Sequence, residues 1–301
     1  MADTYTNSAS KRLAVVTGAN KGIGLEICHQ LASNGVAVVL TARDKNRGVE
    51  AVKKLKGYGL SDVFFHQLDV KDPASIASLA LFIKTQFGKL DILVNNAAVS
   101  GVIVDDDAGL EAIMAVDESQ EVRAAKFEQL ARQTCETGEE CLQANYYGTK
   151  KVTEALLPLL QLSDSPRIVN VSSSLGKLQN ISVTWAKEVL SDIDGLTEER
   201  VDEAVNKYLK EFKEGLIETK GWPAYSMSKA FLNAYTRILS KKFPKFQINC
   251  VCPGYVKSDF NLNTGKFTVE EGAAGPVKLA LLPDDGPSGL FFFQKEVASF
   301  D

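Results

Sequence analysis

Thr17-Gly18-Ala19-Asn20-Lys21-Gly22-Ile23-Gly24 is the stretch that decides the fold. It follows a run of four apolar residues, Leu13–Val16, and opens an amphipathic stretch over 22–32, so its glycines lie between a strand and a helix. Glycines at such a joint allow a tight turn and bring backbone N–H groups close to a ligand at the positive end of the helix dipole. The spacing G-x-x-x-G-x-G differs from the commoner dinucleotide fingerprint G-x-G-x-x-G. Alone, it would read equally well as a glycine turn with no ligand. Its position at the head of a strand–helix alternation points instead to a pyrophosphate.

Working outward, the alternation continues. Strands are expected over 36–40, 63–68 and 91–94, with helices over 48–55 and 73–87 between them. A helix over 142–160, a strand over 167–171, a long helix over 224–243 and strands over 248–251 and 290–293 follow. Short apolar runs between helices are the mark of parallel strands buried on both faces. Right-handed crossovers then give an α/β, doubly wound parallel sheet with helices on each side. No composition break divides the chain, so 1–301 reads as a single domain. Two segments, about 101–139 and 175–221, exceed ordinary connections and read as helical insertions. In the second, Thr197 is a candidate N-cap, followed by Glu198 and Glu199. An apolar stripe of Val201, Ala204, Val205, Tyr208, Leu209 and Phe212 then points to a surface helix covering a pocket or an oligomer face.

The 301 residues carry 34 basic and 38 acidic side chains, a net −4. That balance argues against a nucleic-acid partner. The charge is unevenly spread. Residues 105–140 hold a net −8 and 185–220 a net −4, leaving +8 on the rest. No apolar run approaches the roughly 20 residues that span a bilayer, so no membrane partner is expected. Met1 to Ser10 is polar and lacks a signal-peptide core, which makes the cytosol the expected location. Five cysteines without a C-x-x-C pair and only two histidines, His29 and His66, leave little material for a metal site or a Ser-His-Asp triad. No metal is expected.

Three further features carry chemistry. The second strand ends in Leu40-Thr41-Ala42-Arg43, where an acid would favour free ribose hydroxyls and an Arg favours a 2′-phosphate. Arg43, helped by Lys21, therefore implies NADPH/NADP+ rather than NADH. Tyr225-Ser226-Met227-Ser228-Lys229 sets a phenol and an ammonium on one helix face, and a nearby cation lowers a phenol's pKa toward useful acid–base chemistry. Ser172-Ser173-Ser174 ends a parallel strand, where a hydroxyl can hydrogen-bond a substrate carbonyl.

T-G-A-N-K-G-I-G, Leu68-Asp69-Val70, Asn95-Asn96-Ala97, Asn145, the serine run, Y-x-x-x-K and Pro253-Gly254 occur in that order. The series resembles the short-chain dehydrogenase/reductase family over essentially the whole chain. Within it, Phe87-Gly88-Lys89-Leu90-Asp91 and Leu196-Thr197-Glu198-Glu199-Arg200 resemble the long plant reductases, the subgroup of salutaridine reductase, neomenthol dehydrogenase and menthone reductase.

The resemblance implies a Rossmann-like sheet and a role for each matched residue. Gly18, Asn20, Gly22, Ile23 and Gly24 would frame the pyrophosphate, with Lys21 and Arg43 at the 2′-phosphate. Asp69 and Val70 would border the adenine, Asn96 a ribose, and Pro253, Gly254 and Val256 the nicotinamide. Tyr225 would be the general acid and Lys229 its pKa-lowering partner and a ribose ligand. Ser173 would orient the carbonyl, and Asn145 would hold a water in a relay to Lys229.

The implied activity is NADPH-dependent reduction of a small hydrophobic ketone, or oxidation of the alcohol, in plant specialised metabolism, by a monomer. Two other readings stand beside it: an enone C=C reductase of the isopiperitenone reductase type, and a non-catalytic NADP(H)-binding regulator. The chain departs from the family's N-N-A-G at Ala98. It also departs in the short path from Trp222-Pro223 to Tyr225.

Overall fold

The computed structural model describes residues 11–104, 122, 126, 129–217 and 222–301. Five buried runs of four to six residues form the centre of one sheet: β1 (Leu13–Val16), β2 (Ala37–Ala42), β4 (Ile92–Asn95), β7 (Arg167–Val171) and β8 (Gln247–Cys252). β3 (Val63–Gln67) and β9 (Phe291–Phe293) lie outside them, and β10 (Glu296–Ala298) closes the edge. The order is β10-β9-β8-β7-β4-β1-β2-β3, with every pair parallel except β9–β10. A Rossmann-like, doubly wound sheet is what the buried apolar runs require. The order reverses between β1 and β4, and the C-terminal edge of the strands at that crevice is where such sheets bind ligands.

The helices cover both faces. α1 (Gly22–Ser33), α2 (Lys45–Gly57) and α3 (Pro73–Gln86) fill the first crossovers. Asp44 and Asp72 cap α2 and α3 by accepting from Arg47 N at 2.9 Å and Ala74 N at 2.9 Å. The expected helix over 142–160 is instead three pieces: α4 (Cys135–Leu142), a π-helical turn (Gln143–Gly148) and α5 (Thr149–Leu160). A helix over Val269–Ala280, numbered α9 below, was not expected. Gly272, Gly275 and Pro276 weaken its propensity, although Thr268 and Glu271 form a capping box at its start.

The second insertion contains α6 (Thr184–Ser191) and α7 (Glu198–Lys213). Thr197 caps α7 through Arg200 N at 3.2 Å, and Val201, Ala204, Val205, Tyr208 and Phe212 are buried in the larger core cluster. They pack against α8 (Pro223–Lys242): Tyr208 meets Phe231 edge-on, ring centres 6.4 Å apart. The acidic face of α7 meets cations of the body. Lys150 Nζ lies 2.6 Å from Asp202 and 3.5 Å from Glu198, and Lys242 Nζ 2.8 Å from Glu198. Of the first insertion, the described part forms a two-stranded pair, β5 (Ile103–Val104) with β6 (Ala131–Arg132), and leads into α4. Its acidic stretch from 105 to 121 lies outside the described residues, as do 218–221.

Candidate active site

Gly18, Arg43, Asn96, Ser173 and Pro253 each stand within two residues of the C-terminal end of a parallel strand, so all five line the same sheet edge. The glycine turn is held by a neighbour that the sequence reading omitted. Thr17 Oγ1 accepts from the backbone N–H groups of Asn96 and Ala97, each at 2.9 Å, tying the turn to the end of β4. Asn96 then donates its amide to the carbonyls of Thr17 (2.9 Å) and Gly18 (3.0 Å). A Cβ at Gly18, where φ is +61°, would fall 2.8 Å from Ala97 Cα, and one at Gly24 would fall 2.4 Å from the Asn96 amide nitrogen. Asn96 therefore braces the turn with its side-chain amide.

The N-terminus of α1 has no side-chain cap, which leaves its first N–H groups for an anion. Gly22 has φ of +56°, and Asn20 and Ile23 are half-buried beside it. Arg43 is exposed at the end of β2, and its guanidinium makes no ion pair or hydrogen bond among the described residues. The Lys21 ammonium sits 2.8 Å from Asp259, beyond the end of β8. That pair is exposed and weak, so a doubly charged phosphate can displace it. Asp69 accepts from Lys71 N at 2.9 Å in the turn after β3, and Val70 packs so closely on the π-helical turn that a Cβ at Gly148 would fall 2.9 Å from it. Beyond β8, Pro253 is buried, Gly254 has φ of +87°, and Val256 pairs with Phe267.

Ser173, Tyr225 and Lys229 come together. Ser173 acts electrostatically on the Tyr225 phenol, and its Oγ accepts from Leu175 N at 3.1 Å and so keeps its own proton to donate. Lys229 Nζ lies 5.6 Å from the centre of the Tyr225 ring and donates to the Val171 carbonyl at 2.8 Å. Burial dominates both groups. It holds the phenol above the ordinary tyrosine range, with the Ser173 hydroxyl acting the other way, and pulls the Lys229 ammonium down to about 8. Desolvation is the largest influence on the phenol. Tyr225 is thereby kept protonated at neutral pH, the form in which a phenol can donate.

Asn145 stands behind the trio. Its Oδ1 accepts from Val99 N at 2.9 Å, and its Nδ2 donates to the Val99 carbonyl and to Ser228 Oγ, each at 3.0 Å. Ser228 in turn donates to the Tyr225 carbonyl at 2.7 Å. These bonds fasten the π-helical turn to the strand-end loop, and Asn145 does not touch Lys229 directly. Ser228, Thr17 and Gln133, whose Oε1 accepts the first free N–H of α8 from Ala224 at 2.8 Å, were not legible beforehand. Trp222 and Phe260 flank the Tyr225 ring at 5.8 and 5.5 Å. Tyr146, Tyr147 and Trp185 serve packing: they bond Asp202, Asn206 and Glu211 of α7 at 2.8, 3.3 and 2.8 Å.

A glycine turn at the switch point, with half-buried Ser173 beside buried Tyr225 and Lys229 on the same edge, invites comparison with known proteins. The family pattern described as short chain dehydrogenase matches residues 12–185. The chain belongs to the short-chain dehydrogenase family. As a member it is an oxidoreductase. It is 57% identical to salutaridine reductase of Papaver bracteatum over all of both chains. It is 56% identical to (+)-neomenthol dehydrogenase of Arabidopsis thaliana over 96% of this chain and 98% of that one. The solved structure of salutaridine reductase from Papaver somniferum superposes with a TM-score of 0.89 at 58% identity, covering 94% of this chain and 99% of that one. Among the described residues of this short-chain dehydrogenase, no helix is long and apolar enough to cross a membrane, and no cluster of metal-ligating side chains occurs.

Proposed function

We propose that this chain is a monomeric, cytosolic carbonyl reductase that uses NADPH to reduce a small hydrophobic ketone of the terpenoid or alkaloid kind, working as one domain with two insertions. The observation that carries the reading is the buried Tyr225–Lys229 pair, with Lys229 Nζ 5.6 Å from the phenol ring, beside Ser173 on the same strand edge as the glycine turn. That turn fits a dinucleotide. Gly22, at a φ of +56°, has open space where a Cβ would stand, the uncapped start of α1 presents N–H donors, and Arg43, without an ion pair among the described residues, suits a 2′-phosphate through its planar fork. Asp69 and Val70 would flank the adenine, and Pro253, Gly254 and Val256 the nicotinamide.

NADPH, when bound, supplies the hydride. The chain's residues supply position and proton. Ser173, already accepting from Leu175 N, donates its hydroxyl proton to the substrate carbonyl and fixes its direction. Tyr225 gives its phenolic proton to the oxygen as negative charge develops there. Lys229 stabilises the phenolate left behind, and Asn145 holds the turn beside it, with a water completing the relay to solvent. Trp222 and Phe260 present apolar surface around the phenol, which suits a hydrophobic ketone and excludes water. The monomer reading is supported by α7, whose apolar stripe packs against α8.

The test is NADPH oxidation over a panel of cyclic monoterpene ketones, enones and alkaloid ketones, with products identified. An alcohol product supports the reading. Saturation of the C=C bond with the carbonyl intact would replace it with enone reduction. NADPH binding without turnover on any member would leave a non-catalytic binder. Arg43→Ala should raise the NADPH Kd about tenfold or more while barely changing that for NADH, the loss expected for one charge-assisted phosphate contact. An unchanged preference would refute the 2′-phosphate assignment.

A further inference from the structure

Ser173 has no helix or strand of its own to fix it. It lies between the end of β7 and a short 3-10 turn over Ser174–Gly176. A hydroxyl that must aim at a substrate oxygen needs its backbone held on both sides, and one side chain of α8 does so. Asn233, one helical turn beyond Lys229 and only 4% exposed, accepts from Ser172 Oγ at 2.6 Å and donates to the Gly176 carbonyl at 3.0 Å. The two bonds straddle Ser173, one residue before it and three after.

The closeness is enforced by Gly176, where a Cβ would fall 2.6 Å from the Lys229 carbonyl carbon and 2.7 Å from its Cβ. The far end of the turn is held separately, with Leu178 N donating to the Phe300 carbonyl at 2.8 Å. An apolar residue at 233 would leave a buried hydroxyl and a buried carbonyl without partners.

We propose that Asn233 is a positioning residue that clamps the Ser172–Gly176 segment onto the helix bearing Tyr225 and Lys229, and so sets the direction of the Ser173 hydroxyl. The proposal rests on the carbonyl-reductase reading above. It adds to it a side chain that touches neither ketone nor nucleotide and acts only through Ser173. Asn233 would then matter to turnover, not to nucleotide affinity.

The experiment is a double-mutant cycle with NADPH and the panel ketone that turns over fastest. Asn233→Leu should lower kcat about 10- to 100-fold, the cost of misplacing a group by about an ångström, with the NADPH Kd within about twofold. In a Ser173→Ala background the same change should cost less than about twofold, because the group through which it acts is gone. Ser172→Ala removes one of the two bonds with little change in volume. It should give a smaller loss that also vanishes in the Ser173→Ala background, and it serves if Asn233→Leu does not fold. Amide exchange followed by mass spectrometry should be faster over residues 172–178 in Asn233→Leu, whatever the activity.

Equal losses in both backgrounds would reduce Asn233 to a merely structural residue and overturn the proposal. Unchanged exchange over 172–178 would overturn it as well. Failure of the underlying reading looks different: Tyr225→Phe would retain turnover, while the exchange comparison would still decide whether Asn233 holds the turn.

Discussion

Tyr225 and Lys229 lie one helical turn apart on α8, and burial acts on them in opposite senses. The phenol keeps its proton, and the ammonium is held less firmly than in water. Tyr225→Phe removes the donor without changing the packing against Trp222 and Phe260. We expect kcat to fall by about 10² to 10⁴, the usual worth of a general acid, with the NADPH Kd unchanged in fluorescence titration.

Lys229 also predicts a dependence of stability on pH. Its folded pKa, about 8, lies below the ordinary 10.5. Below pH 8 both folded and unfolded chains carry the charge, and the fold bears the cost of burying it. Between about 8 and 10.5 the folded chain releases a proton that the unfolded chain keeps, so this group's contribution to stability rises with pH. Urea-unfolding free energies of wild type and Lys229→Met, compared at pH 7.5 and pH 10, should show the difference shifting in favour of wild type at the higher pH. A constant difference would rule out a depressed pKa. Sequence spacing placed these two groups on one face. It could not weigh a cation against desolvation, because burial depends on what the rest of the chain packs around them.

At the scale of the element, α7 was legible almost residue by residue. Thr197, the two glutamates after it and the apolar stripe all lie where periodicity put them. What it covers was not legible, since a stripe says that a face is buried and not against what. Phe212 is 1% exposed, stacks on Tyr208 and packs against Gly138, where a Cβ would fall 2.5 Å from its ring. Phe212→Ala should destabilise the protein by about 3–5 kcal/mol, read from the denaturation midpoint and slope, whereas Thr197→Ala should cost about 1 kcal/mol. The π-helical turn shows the opposite case. The sequence reads as an uninterrupted helix from 142 to 160, whereas the structure widens the turn at Gln143–Gly148, where Asn145 bonds Val99 and Ser228. π-helical turns often mark functional sites, and this one lies behind the Ser–Tyr–Lys trio.

At the scale of the whole molecule, the charge division has a physical reading. Residues outside the two acidic segments carry a net +8, and the second acidic segment is tied to them through Lys150 and Lys242. A polyanionic nucleotide approaching the basic edge should feel that field. Stopped-flow association of NADPH should slow as salt is raised from about 20 to 200 mM, over which the screening length drops below the reach of separated surface charges. An association rate independent of salt would refute the steering.

The sequence by itself determined the strand–helix alternation, the glycine turn at its head, and the placing of Tyr225 and Lys229 on one helix face. All of these rest on local pattern: apolar periodicity, the conformational freedom of glycine, and spacing along one helix. The tertiary structure decided what could not be local. It turned Asn96 inward to brace the glycine turn, paired Lys21 with Asp259, set Asn145 and Asn233 to hold the backbone around the trio, and buried Tyr225 and Lys229. Each outcome depends on partners tens or hundreds of positions away, and a polar side chain's role is fixed by which partner burial leaves within reach.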